Sequence, residues 1–458
     1  MRLENGSDYV EIERVGSSAV TIRQGRIGTR GETEEKRASA DTIDDLYELT
    51  LRDWLRDGYK RPPGEVPPAV FSTREPALEQ ALRDHRGDRD AFAIYADWLQ
   101  LHGNPVGELI AITMQREAGL AAPKLQKRYD AVHKQLRLPL PDIARMRWRY
   151  GMWQTLHVEN ARDYRTEGGR PPNDFSYPKI EQLFAHPLCA ALERLEIGAL
   201  HSVRNYALVP RVIAEAGKHA WARDLVSLEI GACHSDPDRA FYMSGYNAGP
   251  IGARIGNVFP KLRELTVWHN LDGSRDHTVD LSGLALPELR SLALRGAVAR
   301  GKRVDDLAKV KAPKLERLEI WGVAGYRVPA TIVLTPAHFE PVLDAFPHVV
   351  HLAIRNANNV IDFVRAVEGW KVAHRLRSID FSQSVLGDAA VSYLVATRGA
   401  YQALEELVVE NCTISQPALR QLIAVFPKVR HTPVRGAASY ASPQWMPSDY
   451  RRAREPAW

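Results

Sequence analysis

One spacing recurs down the C-terminal two-thirds of the chain: an apolar residue, a second three positions on, and a third two beyond that. It reads Leu192/Leu195/Ile197, Leu225/Leu228/Ile230, Leu262/Leu265/Val267 and Leu289/Leu292/Leu294. It continues as Leu315/Leu318/Ile320, Val349/Leu352/Ile354, Leu376/Ile379/Phe381 and Leu404/Leu407/Val409. Trp153/Leu156/Val158 reads as a weaker first unit, and Val429–Val434 as a degenerate last one aligned on Val429. From Leu192 onward the first positions are separated by 33, 37, 27, 26, 34, 27, 28 and 25 residues, so the longer units carry loop insertions. The last two apolar residues of each unit are two apart and share one face of a short strand. A lone strand cannot bury that face, but stacked parallel strands share one continuous core.

Between strands the chain must return, and several returns read as amphipathic helices. Pro336–Phe346, Val360–Trp370 and Asp388–Arg398 all place apolar residues at helical spacing. The returns between Leu262 and Leu315 are shorter, contain Gly and Pro, and are expected to lack a full helix. The whole of 150–432 resembles the helix-containing leucine-rich-repeat proteins, with departures in repeat length. The resemblance implies an α/β solenoid of parallel strands with helical or irregular returns. Such a fold implies binding of macromolecules, without naming the partner.

The register also says which residues leave the core. Offsets 2, 4 and 6 from the first leucine point to the open face of the sheet. At offset 6, four consecutive strands carry Trp268, Arg295, Trp321 and Arg355, spaced about 4.8 Å apart. Trp and Arg dominate interface hot spots, and alternating them permits cation–π stacking of about 0.5–1 kcal/mol per exposed contact. These four residues are therefore the expected centre of a protein-binding surface. On that reading, alanine at both tryptophans weakens partner capture without unfolding the sheet. The other reading has the insertions after Trp268 (HNLDGSRDHT) and Trp321 (GVAGYRVPAT) folding back over the indoles.

Two shorter regions precede the repeats. In 73–142, Asp88 is a good N-cap for a helix that runs to the Gly103-Asn104 turn, where Pro105 opens the next. Asp90, Tyr95-Ala96-Asp97-Trp98-Leu99, Gly103-Asn104-Pro105 and Gly107-Glu108-Leu109-Ile110 resemble the short companion domain that accompanies leucine-rich repeats in large bacterial proteins. That resemblance implies a helical cap for the first repeat and no activity. Residues 63–72 read as a linker.

In 1–62, Tyr9–Glu13 and Ala19–Arg23 alternate like a hairpin. Then come Gln24-Gly25-Arg26-Ile27-Gly28-Thr29-Arg30-Gly31 and a helix over Thr42–Asp57 ending at Gly58-Tyr59. The GRIGTRG core, the helix and the terminal Gly-Tyr resemble the WGR domain, which helps poly(ADP-ribose) polymerases bind DNA ends. The resemblance implies that Gly25, Arg26 and Gly28 shape the central strand and that Arg26 reaches a phosphate or carboxylate. The tryptophan that names the family is Gln24 here, which removes a stacking contribution of about 1–3 kcal/mol. Residues 1–62 hold 11 Lys/Arg against 13 Asp/Glu, so the electrostatic term that dominates DNA affinity is missing as well. Nucleic-acid binding is disfavoured on both counts.

Elsewhere the chemistry is sparse. Cys189, Cys233 and Cys412 are too far apart for a CxxC zinc site and too few for a disulfide framework. There is no GxSxG, Walker loop, HExxH or GxGxxG. His348 and His351 are three apart with no acidic or Cys partner nearby, and Asp236/Asp238 and Asp305/Asp306 read as turn or cap residues. No catalytic residues, metal or cofactor are expected. Met1–Tyr9 (MRLENGSDY) has no apolar stretch of a secretory leader, and no apolar run approaches the roughly 20 residues of a membrane span. Ser439–Trp458 carries three prolines and Arg451, Arg452 and Arg454, and reads as a flexible tail (433–458) or a strap pinned by Trp445 and Trp458. The expectation is a cytoplasmic bacterial scaffold or recognition protein, not an enzyme, with an unidentified protein partner. The alternatives are a nucleic-acid-associated factor acting through the WGR-like region, or a regulatory partner of an enzyme encoded nearby.

Overall fold

The computed structural model describes residues 2–15, 19–37, 46, 50, 54, 73–120, 123–136, 144–158, 177–198, 208–231, 249–269, 279–296, 307–321, 335–357 and 360–432. Most of the expected helix 42–57, the linker, the insertions after Trp268 and Trp321, Cys233, Asp236, Asp238, Asp305, Asp306 and the tail 433–458 lie outside them. The chain divides into two compact units: 1–139 with 162–187 and 201–203, and 140–161 with 188–200 and 204–458.

In the first unit, β1 (Arg2–Asn5), β2 (Asp8–Val15), β3 (Ala19–Arg26) and β4 (Glu32–Arg37) form an antiparallel sheet in chain order. Alternation puts Val10, Ile12, Val20 and Ile22 on one face, where Leu46 and Trp54 pack against them. The helical part follows its caps. The Asp88 side chain accepts from the Asp90 N–H at the start of Arg89–Leu101. Asn104 does the same for Val106 at the start of Pro105–Glu117. These two helices touch backbone to backbone at Gly107, where a methyl group would sit 2.5 Å from the Ala96 carbonyl oxygen.

The second unit is a sheet of eleven strands, parallel except at one end. It begins with a hairpin, β5 (Ala144–Arg149) and β6 (Met152–Val158), turning at Tyr150-Gly151, both at positive φ. Then come β7 (Arg194–Ile197) and β8 (Ser227–Ile230), a short side pair of β9 (Gly249–Pro250) with β11 (Val279–Asp280), and β10 (Glu264–His269). The sheet goes on through β12 (Ser291–Gly296), β13 (Arg317–Trp321), β14 (His351–Arg355), β15 (Ser378–Asp380), β16 (Glu406–Val408) and β17 (Val429–Arg430). Each strand of the large sheet pairs with the next in chain order.

The pairing register is the register of the sequence pattern. Leu156, Leu195, Leu228, Leu265, Leu292, Leu318, Leu352, Ile379 and Leu407 face one another strand to strand. All nine are buried, and each contributes about 1.5–3 kcal/mol by leaving water. One alignment shifts. Val429 pairs with Leu407, so it holds the second apolar position rather than the first expected of it. Buried Phe426 precedes it by three residues and takes the first place. The sequence spacing misleads here because an aromatic replaces the leucine.

Helical returns form at Pro336–Ala345, Val360–Gly369, Asp388–Ala396 and Gln416–Val425. Between β10 and β12 the described residues contain no helix, and the chain there runs against its neighbour through an Ala285–Lys311 bridge. Helix Gly252–Val258 meets this irregular return at Gly256, where a Cβ would lie 2.7 Å from the Ala285 carbonyl oxygen.

A second ladder runs along the ends of the last strands. Asn356, Gln383 and Asn411 occupy the same place after β14, β15 and β16, all with φ between 53° and 64°. Their N–H groups donate to Ser382 O (3.2 Å), Glu410 O (2.8 Å) and Thr432 O (2.9 Å) on the following unit. One residue on, Ala357 N–H donates to Ser384 Oγ at 3.0 Å, and the buried Cys412 thiol donates to Phe381 O at 3.0 Å. Burial pushes that thiol up to about 12, which leaves it protonated and unreactive.

Leu318→Ala is expected to lower unfolding stability by about 2–5 kcal/mol, because rigid strands on both sides prevent the cavity from collapsing. Urea titration followed by circular dichroism measures it, and a loss under about 1 kcal/mol would show that the rows are loosely packed.

Candidate functional site

The open face begins at the alternation within each strand. In β13, Leu318 and Ile320 point to the core while Glu319 and Trp321 alternate with them. Pairing aligns Trp268 with Arg295, and Trp321 with Arg355. The four offset-6 residues of the sequence pattern are therefore brought together.

Arg295 packs against both indoles. Its Cζ lies 5.1 Å from the centre of the Trp268 ring and 5.8 Å from that of Trp321. The rings meet edge to face, with centres 5.6 Å apart and planes at 67°. Both tryptophans are buried, at 8% and 6% exposure. That burial changes what alanine would do: it removes a packed indole, at a typical cost of about 3–5 kcal/mol, so such a variant no longer isolates binding from folding.

The carboxylates around this row were not singled out from the sequence. Glu319 Oε1 and Oε2 accept from Arg295 Nε and Nη2 at 2.8 and 3.3 Å, a two-pronged pair. The Trp321 indole N–H also donates to Glu319, at 2.5 Å, and Arg355 Nη1 is 4.0 Å away. Arg355 in turn donates through Nε to Asp380 Oδ2 at 2.8 Å and through Nη2 to the same oxygen. On the other side, the Trp268 indole N–H donates to Glu229 Oε1 at 2.7 Å. Glu229 also accepts from Arg194, whose Nε holds Glu196 at 2.6 Å, and Glu196 lies 3.3 Å from His157 Nδ1. One polar chain thus crosses the face from β6 to β15.

These contacts are diagonal. Offset-6 arginines on β12 and β14 reach offset-4 acids on the next strand, and the offset-6 Trp268 of β10 reaches back to an acid on β8. Such neighbours sit about 7–8 Å apart at the backbone, within reach of a long side chain. The available signal in the sequence was Glu229, Glu319 and Asp380 at offset 4, each next to a unit that carries Arg or Trp at offset 6.

Electrostatics follow from the pairing. Burial works to raise the Glu319 pKa, but the charges of Arg295 and Arg355, with the hydrogen bonds from Arg295 and Trp321, outweigh it and hold it at about 2. For Arg194, burial works to lower the pKa, and the Glu229 and Glu196 charges reverse that and raise it. Arg355 behaves in the same way, with burial opposed by Glu319 and Asp380. All three arginines remain partly open to solvent, with side-chain exposures of 34%, 25% and 23% for Arg194, Arg295 and Arg355.

The other residues marked in the sequence lie elsewhere. Gly25 and Arg26 end β3, Gly28 turns at φ 90°, and the Tyr9 hydroxyl donates to Thr29 O and Arg30 O at 3.2 and 3.0 Å. Arg26 and Gln24 are exposed. Asp97 is exposed, and the half-buried Trp98 stacks on His102 at 4.1 Å. His348 is exposed in a loop, while His351 begins β14 and pairs with Ser378 Oγ at 2.9 Å. Among the described residues no three His, Cys, Asp or Glu side chains gather as a metal site would require, and no helix is long and apolar enough to cross a membrane.

No protein-family model matches the chain. No curated protein matches it either. Among solved structures, the chain is similar to a Bacteroides fragilis protein at 14% identity and a TM-score of 0.48, over 96% of both chains. A likeness that distant says nothing of what this chain binds.

The depressed Glu319 pKa carries a sign. The group contributes stability above its ordinary value of 4.5, and loses it as pH falls toward about 2. Wild type is therefore expected to lose stability across that window, and Glu319→Gln to be destabilised at pH 7 with a flatter profile below pH 4.5. Urea titrations at stepped pH measure both, and parallel profiles would refute the assignment.

Proposed function

We propose that residues 150–432 wind as a leucine-rich-repeat solenoid whose open sheet face recognises a protein partner without catalysing a reaction. The repeat reading is supported by strands that pair in chain order with their leucine rows in register. Residues 1–62 are read as a WGR-like domain and 73–142 as the repeat-companion helical domain, supported by the antiparallel sheet and the capped helices.

One observation carries the recognition reading. Arg194, Arg295 and Arg355 are each held by carboxylates, with a quarter to a third of each side chain open to solvent. A guanidinium fixed in this way has little rotamer freedom left to lose, so a partner's acceptor groups meet donors already in position. The buried tryptophans hold Arg295 rather than offering free rings. The partner chemistry that fits is a protein surface presenting carbonyl or carboxylate acceptors over the central strands. Nucleic acid fits the WGR-like region poorly, since Gln24 offers no stacking surface there.

Arg295→Lys with Arg355→Lys keeps the charges opposite Glu319 and Asp380 but removes the planar forks. The double variant is expected to melt near the wild-type temperature yet recover roughly tenfold less partner from extracts of the native cell, by quantitative mass spectrometry, losing about 1.4 kcal/mol. Equal recovery would refute the proposed face.

A further inference from the structure

The helix Arg89–Leu101 buries one side and leaves an apolar stripe on the other. Phe92, Tyr95, Ala96 and Leu99 face inward. Ile94 and Leu101 are seven residues apart, on the same outward line, and are 57% and 85% exposed. Trp98 lies between them, half-buried, its ring against His102. An exposed Leu is ordinary by itself; two large exposed apolar side chains seven apart on one helix, with a half-buried indole between them, are not.

The edge of that stripe is acidic. Asp90 and Asp97, also seven apart, run beside Leu101 and Ile94 on the same outward arc, and both are exposed. Asp88 caps the helix start just beyond. Arg89 faces away, toward the Met114 carbonyl of the neighbouring helix, and Arg86 is turned back onto the Arg83 carbonyl. Apolar contact and negative charge therefore lie side by side along about two turns.

We infer that this stripe docks a basic amphipathic helix, whose apolar face covers Ile94, Trp98 and Leu101 while its Lys or Arg residues meet Asp90 and Asp97. Apolar anchors at i and i+7 are the way helices read one another's grooves and faces. The charge selects among occupants. A second copy of this chain would bring Asp90 and Asp97 toward their own equivalents across a two-fold contact, and an anionic lipid surface would repel them. The inference does not rest on the arginine row.

The probe is a synthetic fourteen-residue helix of Leu and Lys with Leu at i, i+3, i+4 and i+7, set against its Leu/Glu counterpart, each titrated into the full chain by fluorescence anisotropy. The Leu/Lys helix is expected to bind and the Leu/Glu helix not to. Ile94→Gln with Leu101→Gln, both at exposed positions, should weaken binding by at least about tenfold, and Asp90→Asn with Asp97→Asn should flatten its salt dependence. Thermal melting checks that the variants fold; Ile94→Ser with Leu101→Ser is the second pair if glutamine disturbs the helix. Equal binding of both peptides, binding unaffected by the substitutions, no binding, or concentration-dependent self-association lost in the same variants would each overturn the inference.

Discussion

The large sheet depends on one constraint: every strand must put its two apolar residues on the same side as its neighbours do. Side chains alternate along a strand, so a slip of one residue in any pair would send leucines to water and carboxylates into the core. Leu265, Leu292, Leu318 and Leu352 are locked against this because each is covered by the rows on both sides. The returns have more freedom. They are helical in several units and irregular at 281–290, and the rows stay aligned through both.

That register also determines where charge is tolerated. Glu196, Glu229, Glu319 and Asp380 are nearly buried at offset 4, where a lone carboxylate would be costly. Glu229, Glu319 and Asp380 each have an arginine within reach because the strands are in step, Glu196 has Arg194 on its own strand, and the tryptophan N–H groups supply further donors. Exposed pairs such as Lys314–Glu288 and Lys371–Asp344 also link neighbouring connections of the sheet, but in water they contribute only about 0–1 kcal/mol each. The buried chain on the face is the more consequential set, since removing one member strands its neighbours.

Much of this was legible beforehand. The apolar triplets located the strands and their facing, and Asp88 and Pro105 located two helices from local capping alone. The four offset-6 residues were correctly placed side by side. What was missed has physical causes. Phe426 stood in for a leucine, so the last unit was aligned three residues late. The left-handed run of Asn356, Gln383 and Asn411 mixes residue types, so no single letter marked it. The acidic column was visible, yet its role was not, because each acid meets a partner on another strand.

The amino-acid sequence by itself determined which residues face the core and which the open side, because that depends only on a period of two within each strand. The tertiary structure alone decided that Trp268 and Trp321 are buried and that Arg295 packs against both. Trp268 and Arg295 bond to Glu229 and Glu319, 39 and 24 residues away in the chain. Contacts of that range exist only once neighbouring strands have stacked, and they turn a row of apparent hot spots into a frame for partly exposed arginines.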